Sequence, residues 1–89
     1  MLNFEKVEEL FQDLIDEAYS VLTVSEVAEV QEYIDVGEYG LALSTAVAIY
    51  VEEHKIASAR TLDLVSRLSL EMSDDPKPML DQLAKVKSQ

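Results

Sequence analysis

The chain has 89 residues, of which 48% are apolar, 18 are acidic and 7 are basic, so its formal net charge is −11 at pH 7. This apolar share is too high for a disordered chain and suffices for one small core, so the sequence predicts a single domain over residues 1–89. The absence of cysteine excludes disulfides and thiolate metal sites, and the single histidine, His54, excludes a histidine-rich metal site.

The charge is unevenly distributed along the chain. Residues 1–53 hold thirteen acids and one base, Lys6, a net of −12, whereas residues 54–89 hold five acids and six bases, a net of +1. A field of this sign repels nucleic acid and anionic membranes and attracts basic surfaces. The N-terminus has no basic, apolar leader and no apolar run reaches the length of a membrane span, so we expect a cytoplasmic protein.

Two helices are predicted in the acidic half. The first covers about residues 4–19, with Asn3 as its N-cap and apolar side chains at helical spacing from Phe4 onward. The second covers about residues 24–36, where Thr23 and Glu26 have the spacing of a capping box. Gly37 supplies a residue that ends a helix in the left-handed conformation.

Three further helices follow, and the first of them is the most apolar. It covers about residues 39–53 and has almost no polar face, which is typical of a helix surrounded by others. The next covers about residues 59–72 behind the N-cap Ser58, and the last begins at Asp75 and Pro76. Strand patterns are absent, so the sequence predicts an all-α bundle of four to five helices around the central helix at residues 39–53.

The sequence offers little that could support catalysis. His54 follows the central helix as an expected surface residue, and neither a nucleophile elbow, a glycine-rich phosphate loop nor a calcium loop occurs. An acyl-carrier protein would need an Asp-Ser-Leu attachment site at the start of a helix, which neither Ser44 nor Ser58 provides. We therefore predict a protein that is not an enzyme, with no catalytic residues, cofactor or metal.

The acidic side chains are the stronger functional signal. Carboxylates on the first two helices lie at spacings that put them opposite the apolar stripes, and like charges four residues apart destabilise a helix. An acidic surface that only keeps the protein soluble is the plain alternative, but solubility needs no segregation of charge. We predict a partner-binding surface for a basic protein made of Glu9, Asp13, Glu29, Glu32, Asp35, Glu38 and Tyr39. Tyr39 is included as an exposed aromatic anchor in the turn after the second helix.

The most distinctive stretch is Gly-Glu-Tyr-Gly-Leu-Ala-Leu at residues 37–43, which ends one helix and opens the next. With Ile56-Ala-Ser58 before the fourth helix, it resembles the small helical immunity proteins of the MafI type, which accompany polymorphic and contact-dependent-inhibition toxins. Ser44 departs from the glutamate common at that position. The resemblance covers roughly residues 1–84, although its specific part is the stretch at residues 37–43.

The resemblance implies a cytoplasmic immunity protein that binds and neutralises a cognate bacterial toxin domain, often a nuclease, by occlusion. It implies no particular contact residues. An acidic regulatory adaptor or antitoxin-like protein that binds a basic partner is the alternative function. A homodimer formed through Met72, Met79 and Leu80 of the last two helices is a further alternative and is compatible with immunity.

Overall fold

The computed structural model describes residues 3–86, which fold into five α-helices and contain no strand. The prediction of an all-α bundle is confirmed. The helices are α1 (Phe4–Ala18), α2 (Val24–Asp35), α3 (Tyr39–Glu52), α4 (Ala59–Glu71) and α5 (Lys77–Ala84).

Helix starts follow the capping signals of the sequence in three cases. The Asn3 side chain accepts the Lys6 backbone N–H at 3.1 Å, and the reciprocal bonds between Thr23 and Glu26 form a complete capping box. Ser58 opens α4 in the same way as Asn3 opens α1. These bonds satisfy N–H groups that have no partner inside a helix.

The start of α5 differs from the prediction by one residue. The helix begins at Lys77, and Pro76 occupies the N-cap position without a side-chain capping bond. The Asp75 carboxylate still accepts the Lys77 backbone N–H at 3.0 Å, so Asp75 supports the start of the helix from one position farther back.

Three helices end at a residue in the left-handed conformation, with φ of 77° at Gly37, 55° at His54 and 59° at Ser73. In each case the following residue donates its N–H to a carbonyl five positions earlier, which is the bond of a Schellman motif. The three bonds, each 2.8 Å long, join Glu38 to Tyr33, Lys55 to Tyr50 and Asp74 to Ser69.

Packing divides the bundle into two main pairs, since α1 lies against α4 and α2 lies against α3. Helix α5 closes the bundle against α3 and α4, whereas α1 and α2 touch each other less. The largest fully buried side chains are Phe11, Leu14, Leu43, Leu64 and Leu68. Met72, Met79 and Leu80, which were considered for an exposed dimer face, are partly buried against this core.

Helix α3 is not enclosed on all sides, in contrast to the prediction. Leu41 is 49% exposed, and Ser44 and Ala48 lie on the same solvent-facing side. Side chains as small as serine and alanine lose little hydrophobic free energy when they stay in water, so this side of the helix needs no neighbour.

Within residues 3–86, no helix combines the length and the hydropathy needed to traverse a bilayer.

Candidate functional site

The acidic residues of α1 and α2 lie on the sides of these helices that face away from the core. Both helices turn apolar side chains toward the core, among them Val7 and Leu14 from α1 and Val27 and Val30 from α2. Their polar sides therefore both point into solvent, and we call these two sides together the outer surface.

Glu9, Glu29 and Glu32 are exposed on this outer surface, as predicted from the helical spacing. None of the three forms an ion pair with another residue between positions 3 and 86. We call these three residues the acidic face. Its carboxylates are directed into solvent and are available to a partner.

A groove of about 270 Å³ separates α1 from α2. Asp35, one of the predicted partner residues, lies on its wall and accepts the Gln31 side-chain N–H at 2.9 Å. Polar atoms make up most of the exposed lining, which consists of Glu8, Phe11, Gln12, Gln31, Ile34 and Asp35. Two carboxylates in such a groove suit the charged head of a lysine or an arginine.

Glu8 was not among the predicted partner residues. It lies four residues after Phe4 and three before Phe11, so it borders the apolar stripe of α1. This border position is the sequence signal that could have identified it, because a carboxylate there reaches both the groove and the neighbouring helix.

Asp13 differs from the other predicted residues because it turns toward α4. Its carboxylate lies 3.6 Å from the Arg60 guanidinium, and both side chains are about half exposed. One turn later, the Ser58 hydroxyl donates to the Glu17 carboxylate at 3.1 Å. Asp13 therefore helps to join α1 to α4 and lies at the margin of the outer surface.

Two basic residues, Arg67 of α4 and Lys77 of α5, are paired with acids on their own helices. The Arg67 guanidinium lies 2.8 Å from Asp63, and the Lys77 ammonium lies 2.9 Å from Asp81, each pair one helical turn apart. The hydrogen bond and charge of Asp81 raise the pKa of Lys77. These cations neutralise acids on their own helices and leave the acidic face uncompensated.

Tyr39 is not the exposed anchor that the sequence predicted. Its side chain is only 8% exposed, and its ring stacks on Phe11 with 6.0 Å between the ring centroids. The hydroxyl donates to Glu8 Oε2 at 2.5 Å. This hydrogen bond, followed by burial and the Glu8 charge, raises the pKa of Tyr39. The first position of α3 turns Tyr39 inward because a tyrosine can bury its ring while its hydroxyl reaches a polar edge.

Glu38 is exposed in the turn between α2 and α3, as predicted. It occupies the N-cap position of α3, yet its side chain makes no capping hydrogen bond. The carboxylate is thus free for contacts outside the fold.

Among residues 3–86, no group of three histidine, aspartate or glutamate side chains is placed to hold a metal ion. Every buried side-chain nitrogen or oxygen in the same part of the chain has a hydrogen-bond partner. What the described residues offer is a charged surface and grooves.

No family model matches the chain, and neither a curated protein nor a solved structure matches it.

Proposed function

We propose that this protein binds a basic protein through its acidic face and that it is an immunity protein for a bacterial toxin domain. The observation that carries the proposal is the separation of charge: Glu9, Glu29 and Glu32 are exposed without ion pairs, whereas Arg67 and Lys77 are neutralised on α4 and α5. The resemblance of residues 37–43 to immunity proteins of the MafI type favours a bacterial toxin domain as this partner.

No contribution to folding explains why two carboxylates of the acidic face lie close together on α2. Glu29 and Glu32 are neighbours on α2 and repel each other, an effect on the order of 0.2–0.5 kcal/mol for a pair on a helix surface. An arrangement of this kind becomes favourable when a positive surface covers it. It accelerates encounter with that surface and disfavours acidic partners.

Occlusion is the mechanism that this surface favours. Toxins that cleave nucleic acid need a basic cleft for the phosphate backbone, and an acidic protein competes for such a cleft. The groove between α1 and α2 adds specificity, since Glu8 and Asp35 accept hydrogen bonds and Gln12 and Gln31 can also donate them. The toxin would then be blocked without any covalent chemistry by this chain.

Co-expression with the toxin domain encoded immediately upstream tests the proposal. Cells that make the toxin should survive when this chain is present, and the two proteins should copurify as a one-to-one complex. Death of the cells in the presence of folded, soluble protein contradicts immunity. A stable complex without protection would instead favour the adaptor or antitoxin-like alternative.

Association kinetics then test the role of the acidic face. The double charge reversal Glu29→Lys and Glu32→Lys should slow association at low salt at least tenfold and leave the helical content unchanged. Glu52→Lys with Glu53→Lys is the matched control, because it changes the net charge equally at the exposed end of α3. Equal effects of the two double variants would mean that the association rate depends on the net charge of the protein and not on the position of the acidic face.

A further inference from the structure

One end of the bundle exposes large apolar side chains where α1 and α3 begin and α4 ends. Phe4 is 60% exposed although it continues the apolar stripe of α1, and Leu70 is 62% exposed near the end of α4. The Phe4 ring lies against Tyr39, with 6.0 Å between the centroids. Among the described residues 3–86, the apolar stripe of α1 therefore runs beyond the covered core.

A cleft of about 510 Å³ opens at this end between residues 37–40 and residues 71–74. Its wall includes the half-buried side chain of Met72 and the edge of Tyr39. Glu71 belongs both to this cleft and to a second hollow that Leu70 and Lys6 line. The cleft and the hollow are thus adjacent at Glu71, and we call them together the end surface.

The charges around the cleft have one sign. Glu38 and Asp74 line it on opposite sides, and Glu71 lies between it and the adjacent hollow. The cations Lys6 and Arg67 line the adjacent hollow and not the cleft, and Arg67 is already paired with Asp63. An apolar cleft with an acidic rim complements an apolar side chain that is flanked by lysine or arginine.

Gly40 gives a separate indication about this cleft. It occupies the second position of α3, and a Cβ placed on it would meet no atom within 4 Å. Close packing of a neighbouring helix therefore does not account for this glycine. Glycine is a poor helix former, so its use at an open position fits a surface that another molecule approaches closely.

We propose that the end surface is where the basic partner of this protein docks. An apolar side chain of the partner enters the cleft beside Tyr39 and Met72, and flanking arginine or lysine side chains pair with Glu38, Glu71 and Asp74. This proposal rests on the proposed function, because it gives the same basic partner an apolar anchor. Phe4 and Leu70 supply the surrounding apolar contact.

Two synthetic helical peptides of equal positive charge separate an anchored contact from a merely electrostatic one. The first carries leucines on one side and arginines on the other, and the second carries serines in place of the leucines. Titration of the 15N-labelled full-length protein with the leucine peptide should shift the amide signals of residues 37–40 and 71–74. Its Kd should be at least tenfold lower than that of the serine peptide.

Variants of the exposed side chains locate the contact. Phe4→Ser with Leu70→Ser should remove the advantage of the leucine peptide, whereas Val24→Ser with Ile56→Ser should retain it. The control pair is also exposed, with 80% for Val24 and 54% for Ile56, but it lies at the opposite end of the bundle. Dispersed amide spectra of both double variants establish that they remain folded.

Gly40→Gln gives a test that does not depend on removing apolar surface. It should weaken binding of the leucine peptide at least fivefold by filling the cleft, while thermal stability stays equal or rises. Ala48→Gln, on the exposed side of the same helix two turns later, is the matched control and should bind like the original chain.

The outcomes separate the two proposals. If both peptides bind with the same Kd and the double variant at Phe4 and Leu70 has no effect, the end surface is not an anchor site, although the acidic face can still bind a basic protein. If neither peptide binds at low salt, the attraction to basic partners fails, and both proposals fail with it. Equal losses for the Gly40 and Ala48 variants would also overturn the docking site.

Discussion

The Tyr39 hydroxyl donates a hydrogen bond of 2.5 Å to Glu8 Oε2, so the first residue of α3 is tied to the middle of α1. The ring of the same tyrosine stacks on Phe11 in the core. Tyr39 therefore joins the acidic groove to the hydrophobic core and holds one carboxylate of the groove in a fixed position. A substitution at Tyr39 should change both the groove and the pH dependence of folding.

The Tyr39 phenol should make stability fall at alkaline pH. Its pKa in the folded protein is raised by the hydrogen bond to Glu8, so above an ordinary pKa of about 10 the unfolded chain loses this proton first. The stabilisation is complete below that pH and is lost as the pH rises through the folded-state pKa. Tyr39→Phe should give a shallower alkaline decline in the free energy of unfolding, measured by urea denaturation at a series of pH values.

A control is needed because two other groups titrate in the same range. Burial raises the pKa of Tyr50, and Asp81 raises that of Lys77, so the original chain loses stability through them as well. Comparing Tyr39→Phe with the original residue in a Lys77→Arg background keeps the positive charge beside Asp81 and removes the Lys77 titration. An unchanged decline in Tyr39→Phe would show that the hydrogen bond to Glu8 does not perturb the phenol in solution.

The fold was predictable from local signals because most helix boundaries depend on nearby residues. Asn3, Thr23, Ser58 and Gly37 each satisfy backbone groups within a few positions, and each behaves as its residue type predicts. Ser73 ends α4 in a left-handed conformation that its side chain does not favour, so nothing in its identity indicated this role.

The partner-binding surface was predictable only in part. Helical spacing correctly placed Glu29 and Glu32 in solvent, because orientation on one helix follows from its period. The inward turn of Tyr39 and the exposure of Phe4 depend on how α1 meets α3 and α4 at the end of the bundle. Such contacts between distant segments leave no regular pattern in a single sequence.

Neutralising the acidic face should separate stability from binding. Glu29→Gln with Glu32→Gln relieves repulsion, so the free energy of unfolding should stay equal or rise by up to about 0.5 kcal/mol at low salt. Association with a basic partner should slow in the same variant. Thermal denaturation and stopped-flow binding measure the two effects, and the stability gain should shrink in high salt because the charges are screened. A clear loss of stability would mean that these carboxylates support the fold.

The ion pair between Asp13 and Arg60 should contribute little to stability. Both side chains are about half exposed and the contact distance is 3.6 Å. Exposed pairs of this kind typically contribute about 0.2–1 kcal/mol because solvent screens them. A double-mutant cycle with Asp13→Ala and Arg60→Ala, followed by urea denaturation, should give a coupling energy within this range. A coupling well above it would make Asp13 a structural residue and weaken its place in the partner-binding surface.

At the three left-handed helix ends, replacing glycine by alanine should lower the stability of the fold, whereas replacing another residue by glycine should raise it. Gly37→Ala should destabilise the fold by about 1 kcal/mol, because an L side chain strains the left-handed conformation even where space is open. His54→Gly and Ser73→Gly should each stabilise it by roughly 0.5–1 kcal/mol, since they relieve that strain and keep the helix-ending hydrogen bonds.

Gly40→Ala is the matched control for Gly37→Ala, because Gly40 lies within a helix and also has open space around its Cα. It should be neutral or stabilising by up to about 1 kcal/mol, as alanine is the better helix former. In a domain of this size, a change of 1 kcal/mol moves the melting temperature by roughly 4–8 °C, which calorimetry resolves. If Gly37→Ala and Gly40→Ala have the same effect on stability, residue 37 does not hold a left-handed conformation in solution. The turn at the start of residues 37–43 would then have another geometry.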